Sequence, residues 1–257
     1  MRVFKVPRAD AAFPYLGEED RFKFPDPLRA SGSIVAVGGN LSPGMLLSAY
    51  EQGIFPWFGP EDPIIWQSPD PRFVIFPSCL HISQSMEKIF KQRRFTLRVD
   101  EDFPLTIASC ASMHRPGQDG TWITDDMIEA YTELHRLGWA HSAEAYLDGV
   151  LVGGCYGLCL GDAFFGESMF AKAPNASKAA FLFLAQRLFA DGIRFIDCQM
   201  PTDHLRSLGG QEMPRPEFLD LLRSAFTVEE GGVRSGERGS NRRRGRKGSW
   251  AELYKPW

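Results

Sequence analysis

Five cysteines in 257 residues, Cys79, Cys110, Cys155, Cys159 and Cys198, are too few and too scattered for a disulfide framework, and their odd number leaves one over. Only Cys155 and Cys159 lie close together, without the second pair a zinc site needs, so reduced and mostly buried thiols are expected. The five histidines, His81, His114, His135, His141 and His204, show no HExxH or other paired metal spacing, and no metal is expected. Gly-x-Ser-x-Gly is absent, as is a GxxxxGK[ST] phosphate loop. Gly153, Gly154 and Gly157 lie within a strand pattern and not at the strand-to-helix turn of a dinucleotide site. Gly153-Gly154 are expected to mark a bulge or a close backbone approach to a ligand. No cofactor is expected. No run of about 18 apolar residues occurs, and Met1-Arg2-Val3-Phe4-Lys5 lacks the apolar stretch of a secretory signal, so a cytoplasmic protein without a membrane segment is expected.

What remains is a hydrophobic content of 44%, enough for one large domain or two smaller ones with a real core. The net charge of −3 hides an asymmetry: Arg234 to Lys247 carries seven basic residues against Glu237, a local +6 that leaves −9 for the rest. A polyanionic partner is suggested by that segment and not by the whole chain. Its glycine and serine content predicts disorder over 232–249, either a solvated insertion or an auxiliary RNA contact.

The first seventy residues are dense in turns, with Phe13-Pro14, Phe24-Pro25-Asp26-Pro27, Phe55-Pro56-Trp57 and Ser68-Pro69-Asp70-Pro71 each imposing extended or turning backbone. A strand at 33–37 precedes a helix that starts at Pro43, with Ser42 as its N-cap, and ends at Gly53. Regular elements dominate after Pro71. Strands are predicted at 72–76 and 96–99, and helices at 83–91, 103–113 and 125–137, the last capped by Thr124. Three strands follow at 141–147, 151–160 and 163–170, joined by tight turns at Asp148-Gly149 and Gly161-Asp162. A helix at 177–190, a strand at 194–198 and a helix near 216–226 complete the pattern. The fold class is α+β: a small N-terminal α/β domain over 1–71 and a larger mixed-sheet domain over 72–257.

Two strand segments each carry a carboxylate among apolar residues, Gly166-Glu167-Ser168-Met169-Phe170 and Ile193-Arg194-Phe195-Ile196-Asp197-Cys198-Gln199. A buried carboxylate is costly unless paired or used. Strand alternation would put Met169 on the face of Glu167, and Asp197 and Gln199 on one face, where the carboxylate could orient the amide. Alternatively these groups satisfy loop backbone at strand ends. Large flat side chains, Tyr50, Trp57, Trp66, Trp122 and Tyr131, serve as core or as the wall of a pocket for an apolar side chain or a stacked base.

Taken together, Gly53-Ile54-Phe55-Pro56-Trp57-Phe58, Ser68-Pro69-Asp70-Pro71-Arg72, Gly120-Thr121-Trp122-Ile123-Thr124, Gly166-Glu167-Ser168-Met169-Phe170, Asn175-Ala176-Ser177-Lys178 and Ile196-Asp197-Cys198-Gln199 resemble the leucyl/phenylalanyl-tRNA-protein transferase family, in one order from about Gly32 to Phe226. The resemblance implies an acetyltransferase-like (GNAT) fold for the larger domain. It implies an enzyme that moves leucine or phenylalanine, with methionine a further candidate, from aminoacyl-tRNA to the N-terminal arginine or lysine of a protein, creating an N-degron for degradation. It implies that Gln199, held by Asp197, orients or accepts from the attacking amine, and that Glu167 offers negative charge to the cationic acceptor. By the same resemblance Tyr50, Trp57, Trp122, Tyr131 and Met169 form the pocket for the transferred side chain. Leu184 and Leu188, four apart on one helical face, could form its floor.

The chain departs from the family pattern at Gln67, where a second tryptophan is common, at Cys155, where methionine is common, and at Leu184 and Leu188, where larger aromatics can stand. A roomier pocket follows, which opens the choice between leucine and phenylalanine. A monomer is the default. The alternatives are a GNAT-type N-acetyltransferase using acetyl-CoA, which should carry a [QR]xxGx[GA] turn where this chain has Ala173-Pro174-Asn175-Ala176-Ser177-Lys178, and a non-catalytic RNA-binding protein, which gives Glu167, Asp197 and Gln199 no purpose. Deleting Arg234 to Lys247 is expected to weaken tRNA binding modestly and to make its salt dependence shallower; an unaltered salt slope would leave the segment as a solvated insertion.

Overall fold

Two sheets organise the chain. The structure, a computed structural model, describes residues 13–113 and 122–226; the basic segment Arg234 to Lys247 lies outside the described residues. A three-stranded antiparallel sheet is formed by β1 (Ile34–Val37), β2 (Phe55–Pro56) and β3 (Ile65–Gln67) in the order β1-β3-β2. The larger sheet holds β4 (Arg72–Ile75), β5 (Thr96–Val99), β6 (Ala140–Leu147), β7 (Val150–Leu160), β8 (Ala163–Ala171), β9 (Phe195–Asp197) and β10 (Gln211–Met213). Its seven strands run in the order β10-β4-β9-β8-β7-β6-β5. Every pairing in it is antiparallel except β8 with β9, which are joined by the crossover helix α5 (Ala176–Ala190).

Helices cover both faces, which explains why the central strands read as nearly continuous apolar runs. On one face lie α1 (Pro43–Glu51), α3 (Phe103–Ala111), α4 (Asp125–Arg136) and α7 (Arg215–Phe226), whose apolar residues join Tyr156, Leu158 and Phe165 in one core cluster. On the other lie α2 (Gln84–Lys91) and α5, packed on Phe73, Ile75, Cys155 and Phe164. The sequence of strand, two helices, three-strand meander, helix and parallel strand is consistent with the GNAT-like expectation. The small sheet does not have its own core, because Tyr50 of α1 and Trp66 of β3 belong to the same cluster as Tyr131 and Phe165.

Local chemistry sets the ends of these elements. Asp102, Ser83 and Thr124 each accept from a backbone N–H in the first turn of the helix that follows, at 3.1, 3.4 and 3.3 Å. Ser42 stands at the N-cap position of α1 but makes no side-chain cap bond; its Oγ instead accepts from the Leu16 N–H at 3.1 Å, so it ties down the preceding loop. Gly53 ends α1 in the left-handed region at φ 74°, and a Cβ there would stand 2.4 Å from Leu219. Asp148-Gly149 turn with φ 51° and 78°, the conformation of a two-residue hairpin of type I′. A bulge does fall beside Gly153: Ala145 pairs with Gly153 and Tyr146 with Leu151, so Val152 is the extra residue on β7. The close approach there is to α5 and not to a ligand, since a Cβ on Gly153 would stand 2.5 Å from that of Ala176. β2, β3, β10 and α6 (Asp203–Ser207) were not anticipated; at two to five residues they are too short for a periodic signal.

One buried acid lies away from the apolar logic of the sheet. Glu144 on β6 is fully buried and accepts from the hydroxyls of Ser142 and Thr106 and from the Glu101 N–H. Burial, with a smaller contribution from the Asp100 charge, pushes its carboxyl up to about 7. A folded-state value above the unfolded 4.5 means that the folded chain holds the extra proton, so stability falls as pH rises from 4.5 through about 7. Glu144→Gln is expected to remove about 3 kcal/mol of that decline, read from urea unfolding across pH 4.5–8; an unchanged pH profile would show that Glu144 is not its source.

Candidate active site

The site is set by one ion pair between two strands. Arg72, the first residue of β4, directs Nε to Asp197 Oδ1 at 2.8 Å and Nη2 to Oδ2 at 2.6 Å, and both side chains are fully buried. This is the two-pronged guanidinium–carboxylate geometry. The remaining nitrogen, Nη1, donates to the Gly53 carbonyl at 3.1 Å. The rings of Phe55 and Phe218 flank the guanidinium at 4.9 and 4.5 Å. Four separate segments therefore meet at Arg72: the end of α1, β2, β9 and α7.

Asp197 ends β9, and its Oδ1 also accepts the backbone N–H of Gln199 at 3.0 Å. The chain turns there, with Gln199 at φ 58° and its carbonyl accepting from Phe73 at 3.2 Å. A non-glycine residue in the left-handed region is uncommon and needs its surroundings to hold it. Asp197 and Gln199 thus do not alternate along one strand face. The carboxylate fixes the backbone of Gln199, not its side-chain amide. That amide leaves the turn and donates from Nε2 to Glu167 Oε1 at 3.2 Å.

Glu167 is placed by a bulge. Tyr156 pairs with Ser168 and Gly157 with Gly166, so Glu167 is the extra residue on β8, which is how a strand re-aims a side chain beside a site. Alternation fails here too: Glu167 faces the α4 side, while Met169 packs against the α5 side. Glu167 Oε2 accepts from the Tyr131 hydroxyl at 3.2 Å, and Tyr131 shares a short hydrogen bond with the Tyr50 hydroxyl. Burial pushes Glu167 up to about 7 against the lowering influence of the two tyrosine hydroxyls and Arg72, with Asp197 adding repulsion. Burial, and next the Glu167 charge, raise both tyrosines well above their ordinary value, so they remain protonated donors.

These groups open onto a cavity of about 640 Å³, lined among others by Trp57, Trp122, Cys155, Glu167, Met169 and Gln199. Six of the expected site residues are therefore brought together. Asp197, Tyr50 and Tyr131 stand behind the wall. Leu184 and Leu188 are buried in the α5 core and do not reach the cavity; the same helical stripe meets it earlier, at Ser177 and Phe181. Sequence reasoning also missed Phe164, Met200 and His204 in the wall, and it gave Arg72 no role. For Arg72 a signal existed, a cation opening the apolar run Arg72-Phe73-Val74-Ile75. Trp66 is core, its Nε1 donating to the Gly38 carbonyl at 2.8 Å. No group of three or more histidine, cysteine, aspartate or glutamate residues able to hold a metal occurs among the described residues.

Truncating one partner of such a buried pair leaves the other charge uncompensated. Asp197→Ala is expected to cost about 3–5 kcal/mol in urea unfolding, with Glu167→Gln costing about 1 kcal/mol or less. Equal losses would show that the Arg72–Asp197 pair does not carry the special weight given to it.

A family model for leucyl/phenylalanyl-tRNA protein transferase matches residues 74–223, and one for the N-terminal domain of that family matches residues 39–70. A leucyl/phenylalanyl-tRNA–protein transferase of Myxococcus xanthus is 50% identical over 212 residues, 82% of this chain and 91% of that relative. Two solved structures overlap more weakly. L-PGS from Bacillus licheniformis aligns with TM-score 0.39 and 14% identity over 53% of this chain and 48% of its own. A GCN5-related N-acetyltransferase from Kribbella flavida aligns with TM-score 0.35 and 12% identity over 68% and 61%. Identity and coverage of the sequence relatives decide the matter: the chain belongs to the leucyl/phenylalanyl-tRNA-protein transferase family.

Proposed function

We propose that this protein transfers leucine or phenylalanine from aminoacyl-tRNA to the N-terminal arginine or lysine of acceptor proteins, marking them for degradation, and that it works in the cytoplasm as a monomer. We place the boundary between its two domains at residue 71. The observation that carries the reading is the convergence of Gln199 and Glu167 on an apolar cavity walled by Trp57, Trp122 and Met169. Such a wall suits the side chain of leucine, phenylalanine or methionine. The smaller Cys155 and the absence of Leu184 and Leu188 from the wall leave the order among these donors to the experiment.

The reaction is direct. The acceptor α-amine attacks the ester carbon; the peptide bond forms, the bond to the ribose oxygen breaks, and the proton lost by nitrogen is balanced by the one gained by the released hydroxyl. An α-amine with a pKa of about 7.7–8.0 is already partly neutral near pH 7, so placement supplies much of the rate. Gln199, fixed at Nε2 by Glu167, offers Oε1 to the incoming amine. Asp197 is a positioning residue, acting through the Gln199 backbone. The two cavity thiols are poor acyl carriers, because burial drives Cys155 and Cys198 far above the usual thiol range. The acetyl-CoA alternative has no support from the entry to α5, which runs through Ala173-Pro174-Asn175 without glycine.

Ionised Glu167 attracts the cationic acceptor side chain. Leucyl-, phenylalanyl- and methionyl-tRNA offered in parallel to an Arg-initiated peptide are expected to give transfer of leucine or phenylalanine at least; none from any donor would refute the reading. Because Glu167 ionises only above about 7, KM for that peptide is expected to fall as pH rises through this value in the wild type and to lose this step in Glu167→Gln. An identical pH profile in both would remove Glu167 from acceptor binding.

A further inference from the structure

A second cavity, of about 510 Å³, adjoins the first and has no role in the chemistry above. It is lined by His81, Ser83, Met86, Lys178, Arg206, Ser207 and Leu208. Its polar groups are cationic side chains, an imidazole and hydroxyls, with no carboxylate among the lining residues. Arg206 is partly neutralised by Glu212 at 2.6 Å and held over the Phe73 ring at 5.3 Å. Lys178 is only partly exposed and forms no ion pair with any described residue. Ser83 caps α2, so the positive end of that eight-residue helix adds to the same field.

The two cavities have no lining residue in common, but their walls are built from consecutive residues. Ser177 faces the larger and Lys178 the smaller, as do His204 and Leu205 against Arg206 and Ser207 on α6. A donor whose aminoacyl group fills the larger cavity must carry its nucleotide chain away past one of these walls, and only phosphodiesters along that chain bear charge. An ammonium next in sequence to that wall, with no ion pair among the described residues, is the chemistry that would receive one.

We propose that the smaller cavity binds a phosphate of the tRNA acceptor end, with Lys178 as its principal contact and Arg206 as its second. This rests on the aminoacyl-tRNA reading. The site would hold the donor in place without reading its sequence, since phosphate contacts position a nucleic acid and do not specify it.

The test compares two donors, leucyl-tRNA and leucine esterified to adenosine, which lacks phosphate, in transfer to an Arg-initiated peptide by the wild type, Lys178→Gln and Lys178→Arg. With leucyl-tRNA, Lys178→Gln is expected to lower kcat/KM about fivefold through KM and to reduce the salt slope of tRNA binding by about 1. With leucyl-adenosine its loss is expected to be several times smaller, and Lys178→Arg should retain most of the tRNA activity. Equal losses on both donors, or an effect confined to KM of the acceptor peptide, would overturn the phosphate site while leaving the function intact. Absence of transfer by the wild type from either donor would overturn both.

Discussion

Much of this structure depends on a single buried guanidinium. Taking Arg72 and Asp197 out of water is expensive, and their attraction repays that cost only with good geometry and full hydrogen bonding. Both conditions are met: two parallel bonds at 2.8 and 2.6 Å, a third to the Gly53 carbonyl, and aromatic rings on either side. An apolar pair of similar volume could be as stable here. What it could not supply is direction, because Asp197 Oδ1 also fixes the Gln199 N–H and so decides where the chain turns out of β9.

The pair also explains why the small sheet and the large one share a core. Arg72 reaches back to Gly53 at the end of α1, and Phe218 of α7 packs on the guanidinium. A second arginine works in the same way at the other end of this junction. Arg215 donates from Nη1 to the Gly32 and Ser68 carbonyls at 2.8 and 2.7 Å, and its N–H donates to Asp70 at 3.0 Å. The Ser68-Pro69-Asp70-Pro71-Arg72 stretch is therefore clamped from both sides, with the Asp70–Pro71 peptide in the cis form. A boundary in sequence near residue 71 becomes, in three dimensions, a densely bonded joint.

Long periodic elements were legible in the sequence. β5 lies at the expected residues, α4 is capped by Thr124 as expected, and the meander turns fall at Asp148-Gly149 and Gly161-Asp162. The identity of Glu167 and Gln199 was legible too; their geometry was not, because both sit where a regular period breaks. Glu167 is the extra residue of a bulge and Gln199 a left-handed residue beyond a strand end, and each break depends on partners remote in sequence. Arg72 is 125 residues from Asp197, a separation no local pattern reports. Leu184 and Leu188 show the opposite failure: their face was right, but how far a cavity extends along a helix is decided by packing on the other side.

The electrostatics of the site follow from this arrangement. Asp197 is neutralised by Arg72 at contact distance, so the cavity's available carboxylate is Glu167, which has only hydroxyl and amide donors beside it. That difference separates two acids in one site: Asp197 is paired with Arg72 and shapes the backbone, while Glu167 is poised near neutrality by burial. A reaction whose nucleophile is already partly neutral near pH 7 does not need a strong base. It needs a fixed acceptor for the amine, a charge that appears near physiological pH for a cationic partner, and an apolar wall that keeps water from the ester. In the proposed reading Gln199, Glu167 and the tryptophan-lined cavity answer those three demands, and the buried arginine, through Asp197, fixes the turn that carries Gln199.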